Sequence, residues 1–206
     1  MALGRVSLLG ATARLARRDR RLGALVRRYG PPPLWARPRG FPTLLRIILE
    51  QQVSLASARA MYLRLLARVP SLTPAAVVEL GAAGLQAIGF TRQKGAYAVA
   101  LADRVEDGRL ALARLHRYGD DEARLLLTEV PGIGPWTASI YLLMALRRPD
   151  IWPPGDLALH KAMARLDGMG RLPSAAEAAA MADRWRPLRA VAARILWHGY
   201  LSERGG

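Results

Sequence analysis

Residues Leu127 to Arg165 read LTEVPGIGPWTASIYLLMALRRPDIWPPGDLALHKAMAR, and the remainder of the 206-residue chain is organised in support of this stretch. It has two parts. The first is a tight turn, Pro131-Gly132-Ile133-Gly134-Pro135, opening a strongly apolar helix near Trp136. Gly132 and Gly134 lack a Cβ and tolerate positive φ, so the backbone there can approach a ligand closely. Their N–H groups, with those at the start of the following helix, form a site that favours an anion, above all a phosphate oxygen. The second part is a short Pro/Gly segment, Trp152 to Gly155, that delivers one carboxylate, Asp156, to the start of another helix.

Val130-Pro131-Gly132-Ile133-Gly134 after the helical run Arg124 to Thr128 has the pattern of a helix–hairpin–helix element, which grips DNA phosphates. A GxG turn between two core helices is the competing explanation. Three further segments accompany the turn: Ile48-Leu49-Glu50-Gln51-Gln52-Val53-Ser54, Pro154-Gly155-Asp156, and Trp185-Arg186-Pro187-Leu188-Arg189 followed by Trp197. Together with Pro131 to Ala138, and in this order, they resemble the helix–hairpin–helix (HhH-GPD) DNA glycosylase superfamily, and within it the AlkA-type 3-methyladenine glycosylases. The resemblance runs from about residue 30 to the C-terminus. It implies an all-α, two-lobed fold with the active cleft between the lobes. Residues 41–148 would form the lobe carrying the hairpin, and residues 1–40 with 149–206 the lobe carrying Asp156. The β-rich N-terminal domain of longer AlkA-type proteins is not expected here.

Composition agrees with that direction. Lys+Arg outnumber Asp+Glu 31 to 16, a net charge of +15, which points to a polyanionic partner. An Ala-, Leu- and Arg-rich chain also reflects compositional bias, so the charge supports the reading without carrying it. The absence of cysteine excludes disulfides, thiolate metal sites and an iron–sulfur cluster. The longest apolar run, Val130 to Leu146, is broken near its start by prolines and glycines and is not read as membrane-spanning. Met1 to Ala16 is basic and acid-poor in the manner of a transit peptide, but Arg17 to Tyr29 continues as a basic amphipathic helix, so a surface segment of a cytoplasmic protein is expected.

Capping patterns place the helices. Asp19 opens one to Tyr29, Phe41 to Gln52 forms the next, and Ser54, Thr73-Pro74, Thr91, Asp120 and Ser174 begin others; Arg189 to Ser202 is the last. Gly4 to Leu9 is the one stretch with a weak strand pattern.

Asp156 is the candidate catalytic carboxylate. Cleaving a C1′–N bond builds positive charge on the sugar, and a fixed carboxylate stabilises that charge and orients the attacking water; one such group supplies on the order of ~3 kcal/mol. Position alone leaves helix N-cap and catalyst equally open, since aspartate suits both; the resemblance favours catalysis. The Schiff-base lysine of the bifunctional branch would fall at Trp136, and the only lysines are Lys94 and Lys161, so the implied reaction is monofunctional hydrolysis. Trp136 and Trp197 match base-pocket positions, where an electron-rich wall suits a cationic alkylated base; core packing is the alternative for each. The family's pocket tyrosine falls on Ile140, with Tyr141 one helical step of about 100° away, which puts Tyr141 in doubt as its replacement.

By the same resemblance Gln51 and Gln52 lie in the loop that enters the minor groove, Gln52 at the wedge position; a polar helix end is the alternative, and Glu50 reads as a helix-end surface residue. Gly132, Gly134, Trp136, Thr137 and Lys94 are candidate phosphate contacts, with Arg92 beside them, although Arg92 and Lys94 also fit a solvated basic face. His116, His160 and His198 show no metal-ligand spacing, so no cofactor and no catalytic metal are expected; the carbonyls of Val130 and Ile133 are candidates for a monovalent cation. The function implied is excision of alkylated, 3-methyladenine-like bases from double-stranded DNA in base excision repair, by a monomer with no membrane partner. A same-fold glycosylase for oxidised or deaminated bases and a non-catalytic DNA-binding module are the alternatives.

Overall fold

The computed structural model describes residues 2–203, and every described element is helical. Eleven α-helices follow one another: α1 Arg5–Arg18, α2 Arg20–Tyr29, α3 Phe41–Leu49, α4 Leu55–Arg68, α5 Pro74–Ala87, α6 Arg92–Glu106, α7 Asp120–Thr128, α8 Pro135–Met144, α9 Leu157–Leu166, α10 Ala175–Ala182 and α11 Arg189–Ser202. Two 3₁₀ segments, Leu112–Arg117 and Asp183–Trp185, complete them. Among the described residues no helix is long and apolar enough to cross a membrane.

The starts are chemical. Asp19, Ser54, Thr73, Thr91 and Ser174 each accept a backbone N–H from the first turn of the helix they open, and Ser174 forms a full capping box with Glu177. Asp120, Asp121 and Glu122 crowd the first turn of α7, where the helix dipole favours negative charge, although the cap itself is Gly119.

Several elements differ from the sequence expectation. Gly4 to Leu9 is no strand: Arg5 begins α1, whose Leu8, Ala11 and Leu15 are buried, so the N-terminal segment is part of a core rather than a surface appendage. Helix α3 stops at Leu49, short of Gln52, because the chain turns to reach Ser54. The helix expected from Ser174 to Trp185 ends at Ala182 and tightens into a 3₁₀ turn. Gly81, at φ 62° and ψ 177°, kinks α5.

The chain divides into two compact units, residues 37–141 and residues 1–36 with 142–206. The reading from sequence put the breaks after residues 40 and 148. Hydrogen bonds explain the positions found. Arg37 pairs with Glu50, and the Gly40 N–H donates to the Tyr141 hydroxyl, tying residues 37–40 to the first unit. The Arg147 carbonyl accepts Leu3 N–H and the Leu143 carbonyl accepts Arg194, tying residues 142–148 to the second.

Each unit has a central helix that is apolar nearly all round. In the 37–141 unit it is α3, whose Leu44, Leu45, Ile47, Ile48 and Leu49 are fully buried. In the other it is α11, buried from Ala190 to Trp197. Each such Leu or Ile contributes about 1.5–3 kcal/mol relative to exposure.

Candidate functional site

Asp156 is set by three independent fixings. Pro153-Pro154-Gly155 brings the chain to α9, and Gly155 takes φ +72°, a conformation costly for any residue with a Cβ. Upstream, Asp150 accepts from the Arg189 backbone N–H at 3.0 Å and from its guanidinium at 3.0 and 3.1 Å, while Ala190 N–H donates to the Pro149 carbonyl; the segment is thereby bolted to the start of α11. Finally, Oδ1 of Asp156 accepts the Leu159 N–H at 2.9 Å and the Trp197 indole N–H at 3.2 Å. The carboxylate is therefore both the N-cap of α9 and the acceptor of an indole, and only 9 % of the residue is exposed. A carboxylate so held is pre-oriented, at no further entropic cost, toward any charge developing beside it.

Trp197 is itself braced. Trp35 meets it edge to face, with ring centroids 6.3 Å apart, and meets His198 at 6.4 Å. Trp35 has φ +45°, rare for a bulky residue, and the neighbouring carbonyl explains how it is maintained. Arg194 is fully buried and, among the described residues, has no carboxylate partner; its guanidinium donates to the carbonyls of Leu34 at 3.0 Å, Ala190 at 3.0 Å and Leu143 at 2.7 Å. Burial holds its pKa down, to about 10. The Leu34 bond fixes the backbone immediately before Trp35. Sequence reasoning missed Trp35, Arg194 and the Asp150–Arg189 pair. A charged residue inside the apolar run Val191 to Trp197 was the one available signal for Arg194.

In the other unit the hairpin is a one-turn loop, with the Ile133 N–H donating to the Val130 carbonyl at 3.0 Å. Gly132 has φ +86° and lies against the Tyr97 ring: a Cβ there would stand 2.3 Å from Tyr97 Cγ. Gly134 does not take positive φ; its missing Cβ leaves open space, and its carbonyl accepts the Ala138 N–H at the head of α8. The two glycines thus serve different purposes, the first structural and the second one of clearance. The Thr137 amide lies in the first turn of α8, where the helix dipole presents its positive end. That turn suits an anion.

A model of the HhH-GPD superfamily of base excision DNA repair proteins matches residues 45–187. The chain belongs to that superfamily. It is 25 % identical over 184 residues to the putative DNA-3-methyladenine glycosylase YfjP of Bacillus subtilis, covering 85 % of this chain and 64 % of that protein's length. The crystal structure of a DNA-3-methyladenine glycosidase from Bacillus halodurans superposes with a TM-score of 0.79 at 27 % identity, over 92 % of this chain and 88 % of the other. The Schizosaccharomyces pombe 3-methyladenine DNA glycosylase Mag1, in complex with abasic DNA, superposes with a TM-score of 0.80 over 91 % of this chain and 95 % of that one; at 24 % identity it speaks for the fold.

Against the HhH-GPD pattern, several expected site residues stand elsewhere. Lys94 is not a phosphate contact. Its amine is buried, donating to the carbonyls of Leu49 at 2.5 Å and Gln51 at 3.0 Å, and burial lowers its pKa. Gln51 is not free to intercalate: its side-chain N–H₂ donates to the Gly132 carbonyl at 2.9 Å and to Thr137 Oγ1 at 2.7 Å. The second of these bonds occupies a lone pair of Thr137 Oγ1. Tyr141 is wholly buried with its hydroxyl taken by Gly40, and burial raises its pKa; it is a core residue and offers no face to a base. Glu50 is no loose surface acid, since Arg37 holds it bidentately at 2.8 and 3.1 Å and Arg46 at 3.2 Å.

The remaining candidates keep an accessible disposition. Gln52 is exposed at the tip of the loop, with φ +55°. Trp136 is half-buried and Arg92 exposed. No group of His, Cys, Asp and Glu among the described residues is arranged to hold a metal ion. The Val130 carbonyl has a second lone pair beyond its bond to Ile133, so the hairpin donor set is compatible with a monovalent cation.

Proposed function

We propose that the chain is a monofunctional DNA N-glycosylase that excises alkylated bases of the 3-methyladenine kind from duplex DNA in base excision repair. The observation carrying this reading is the buried Asp156 carboxylate, oriented by Leu159 N–H and the Trp197 indole N–H. An aspartate needed only as a cap has no use for an indole donor from a helix 41 residues away in sequence. Extrusion of the damaged nucleotide exposes its glycosidic bond. As that bond breaks, positive charge develops on the sugar; Asp156 stabilises it and orients the water that adds to C1′, giving free base and an abasic site. Trp197, beside Asp156, supplies an aromatic face for the base, and a cationic alkylated purine gains about 0.5–2 kcal/mol there; Trp136 is the aromatic candidate of the hairpin unit.

Amine catalysis does not suit this chain. Lys94 is enclosed by two carbonyls, and Lys161, the only other lysine, sits five residues beyond Asp156 on α9. The first turn of α8 and the clearance at Gly134 receive a backbone phosphate, and Gln52 fills the stack where the nucleotide has left.

The test is Asp156→Asn. Duplex binding should persist while single-turnover release of 3-methyladenine from alkylated DNA falls by at least about 10²-fold, the scale of a lost transition-state electrostatic partner. Undiminished release would remove the mechanism. Release by the unaltered protein from 8-oxoguanine or uracil duplexes in preference to alkylated ones would reassign the substrate class. Binding with no release of any base would leave a DNA-binding module.

A further inference from the structure

The net charge of +15 is unevenly placed. Residues 1–36 hold eight arginines against one acid, Asp19, a net of +7. Asp19 is already occupied, capping α2 through the Arg21 and Leu22 amides and accepting the Trp185 indole N–H at 2.8 Å. Compositional bias toward arginine does not remove acids from one segment alone.

Ion pairing within the same unit sharpens the contrast. Apart from Asp156, its other acids serve arginines of residues 165–189: Glu203 pairs with Arg165, Glu177 with Arg171, Asp167 with Arg184, Asp183 with Arg186 and Asp150 with Arg189. Among the described residues, only Arg21 of α1 and α2 has a close acidic partner, Asp167. Arg5, Arg14, Arg17, Arg20 and Arg27 are exposed and, among the described residues, have neither hydrogen bond nor ion pair to an acid. Unneutralised like charges on adjacent turns repel, at a few tenths of a kcal/mol per pair. A surface that keeps them gains where a polyanion covers it.

The patch also has a shape. Arg14, Arg17 and Arg18 stand at i, i+3 and i+4, on one face of α1, and surround an open concavity of about 410 Å³ floored by Leu15, Pro187 and Leu188. Arg18 is fixed at its edge by donating to the carbonyls of Arg184 and Arg186. Arg14 and Arg17 are free to close on a ligand. The guanidinium fork is suited to bidentate phosphate contact.

We propose that this arginine face of α1 is a second duplex DNA-binding surface, in the unit that does not carry the hairpin, contacting backbone phosphates without reading sequence. It holds the protein to undamaged DNA through counterion release, the term that dominates non-specific affinity. Duplex DNA is favoured over an anionic membrane because the apolar residues of the concavity, Leu15 and Leu188, are buried and leave nothing there to insert. Val6 and Leu9, exposed toward the other end of the helix, make the membrane the alternative to exclude.

The experiment compares the unaltered protein with Arg14→Glu/Arg17→Glu, and with Arg14→Gln/Arg17→Gln should the charge reversal unfold the chain. Affinity for an undamaged duplex is measured by fluorescence anisotropy from about 50 to 200 mM salt. The log–log slope should lose about two, at about 0.9 per phosphate contact, with at least a tenfold loss of affinity at the low-salt end. Base release at saturating enzyme in single turnover should not change, because neither residue touches the reacting sugar. An unaltered slope overturns the proposal. So does an unaltered duplex affinity accompanied by lost binding to phosphatidylserine vesicles. The glycosylase reading is judged separately: a protein that releases no base yet shows the slope change keeps this surface and loses only the catalytic assignment.

Discussion

Replacing Gly132 with alanine tests the hairpin directly. An ideal Cβ at this position lies 2.3 Å from Tyr97 Cγ, 2.4 Å from Cδ2 and 2.7 Å from Cδ1, and the residue has φ +86°. Two costs follow. Holding an L-residue in the left-handed region costs about 1–2 kcal/mol. Forcing a methyl against a packed ring costs about 1–3 kcal/mol more, because Tyr97 or the hairpin must shift. The sum, about 2–5 kcal/mol, corresponds to a melting-temperature drop of roughly 5–15 °C for a chain of this size. Gly134→Ala is the internal control. Its Cβ meets nothing within 4 Å and its φ is ordinary, so the stability cost should stay below about 1 kcal/mol. Its methyl would instead occupy the clearance offered to a phosphate, and duplex affinity should fall about tenfold, or ~1.4 kcal/mol.

Thermal unfolding and anisotropy binding on both variants separate the two roles. Gly132→Ala should lose stability, and Gly134→Ala should lose binding at unchanged stability. The double variant Gly132→Ala/Tyr97→Ala should recover the steric share, leaving a coupling of about 1–3 kcal/mol and the backbone strain. Equal melting temperatures for the two single variants, or zero coupling with Tyr97, would refute the packing argument. Full DNA affinity in Gly134→Ala would refute the hairpin as the phosphate grip.

Three further outcomes are expected. Trp197→Phe keeps the ring but removes the N–H that Asp156 accepts at 3.2 Å; hydrogen bonds to charged groups contribute about 1.5–3 kcal/mol, so single-turnover base release should fall about 10- to 100-fold with duplex affinity retained. Lys94→Met leaves the Leu49 and Gln51 carbonyls without their donor and should cost about 1–3 kcal/mol in thermal unfolding, whereas Gln52→Ala, at an exposed loop tip, should leave stability unchanged and weaken only binding to damaged duplex. Arg171 and the Ser174 amide hold the Glu177 carboxyl down to about 2. The folded state therefore binds this proton less readily than the unfolded chain, and the stabilisation is complete above the ordinary carboxylate value and lost as pH falls toward about 2; the melting-temperature gap between the unaltered protein and Glu177→Gln should be constant near neutrality and close across that acid range.

What could be read from the sequence divides by whether the chain or the side chain carries the information. Helix starts were legible because capping is local: Asp19, Ser54, Thr73, Thr91 and Ser174 bond to amides two or three residues on. The hairpin was legible because glycine and proline constrain backbone wherever they stand. Helix α1 was not. It starts at Gly4, which has no capping side chain, contains Gly10, and its buried face of Leu8, Ala11 and Leu15 becomes visible as such only once α2 and α11 pack near it.

The misplaced site residues share one cause. Lys94 was read as a cation at a helix start, Gln51 by the resemblance of its loop and Tyr141 by its nearness to a pocket position, and each satisfies a group distant in sequence: the Leu49 and Gln51 carbonyls, the Gly132 carbonyl, the Gly40 amide. A polar side chain states what it can bond, not which orphaned backbone group it will find, and a chain of short helices with tight connections leaves many such groups. Together the bonds made by Lys94 and Gln51 connect the end of α3, the loop bearing Gln52, the hairpin and the head of α8 into one framework within the 37–141 unit. The residues thought to meet DNA there are therefore the ones that shape the backbone that meets it. Under the proposed function, Gln52, the Thr137 amide and the space above Gly134 are then the groups offered to DNA, so substitutions at Gln51 or Lys94 should act on binding through stability, while those at Gln52 or Gly134 should act on binding alone.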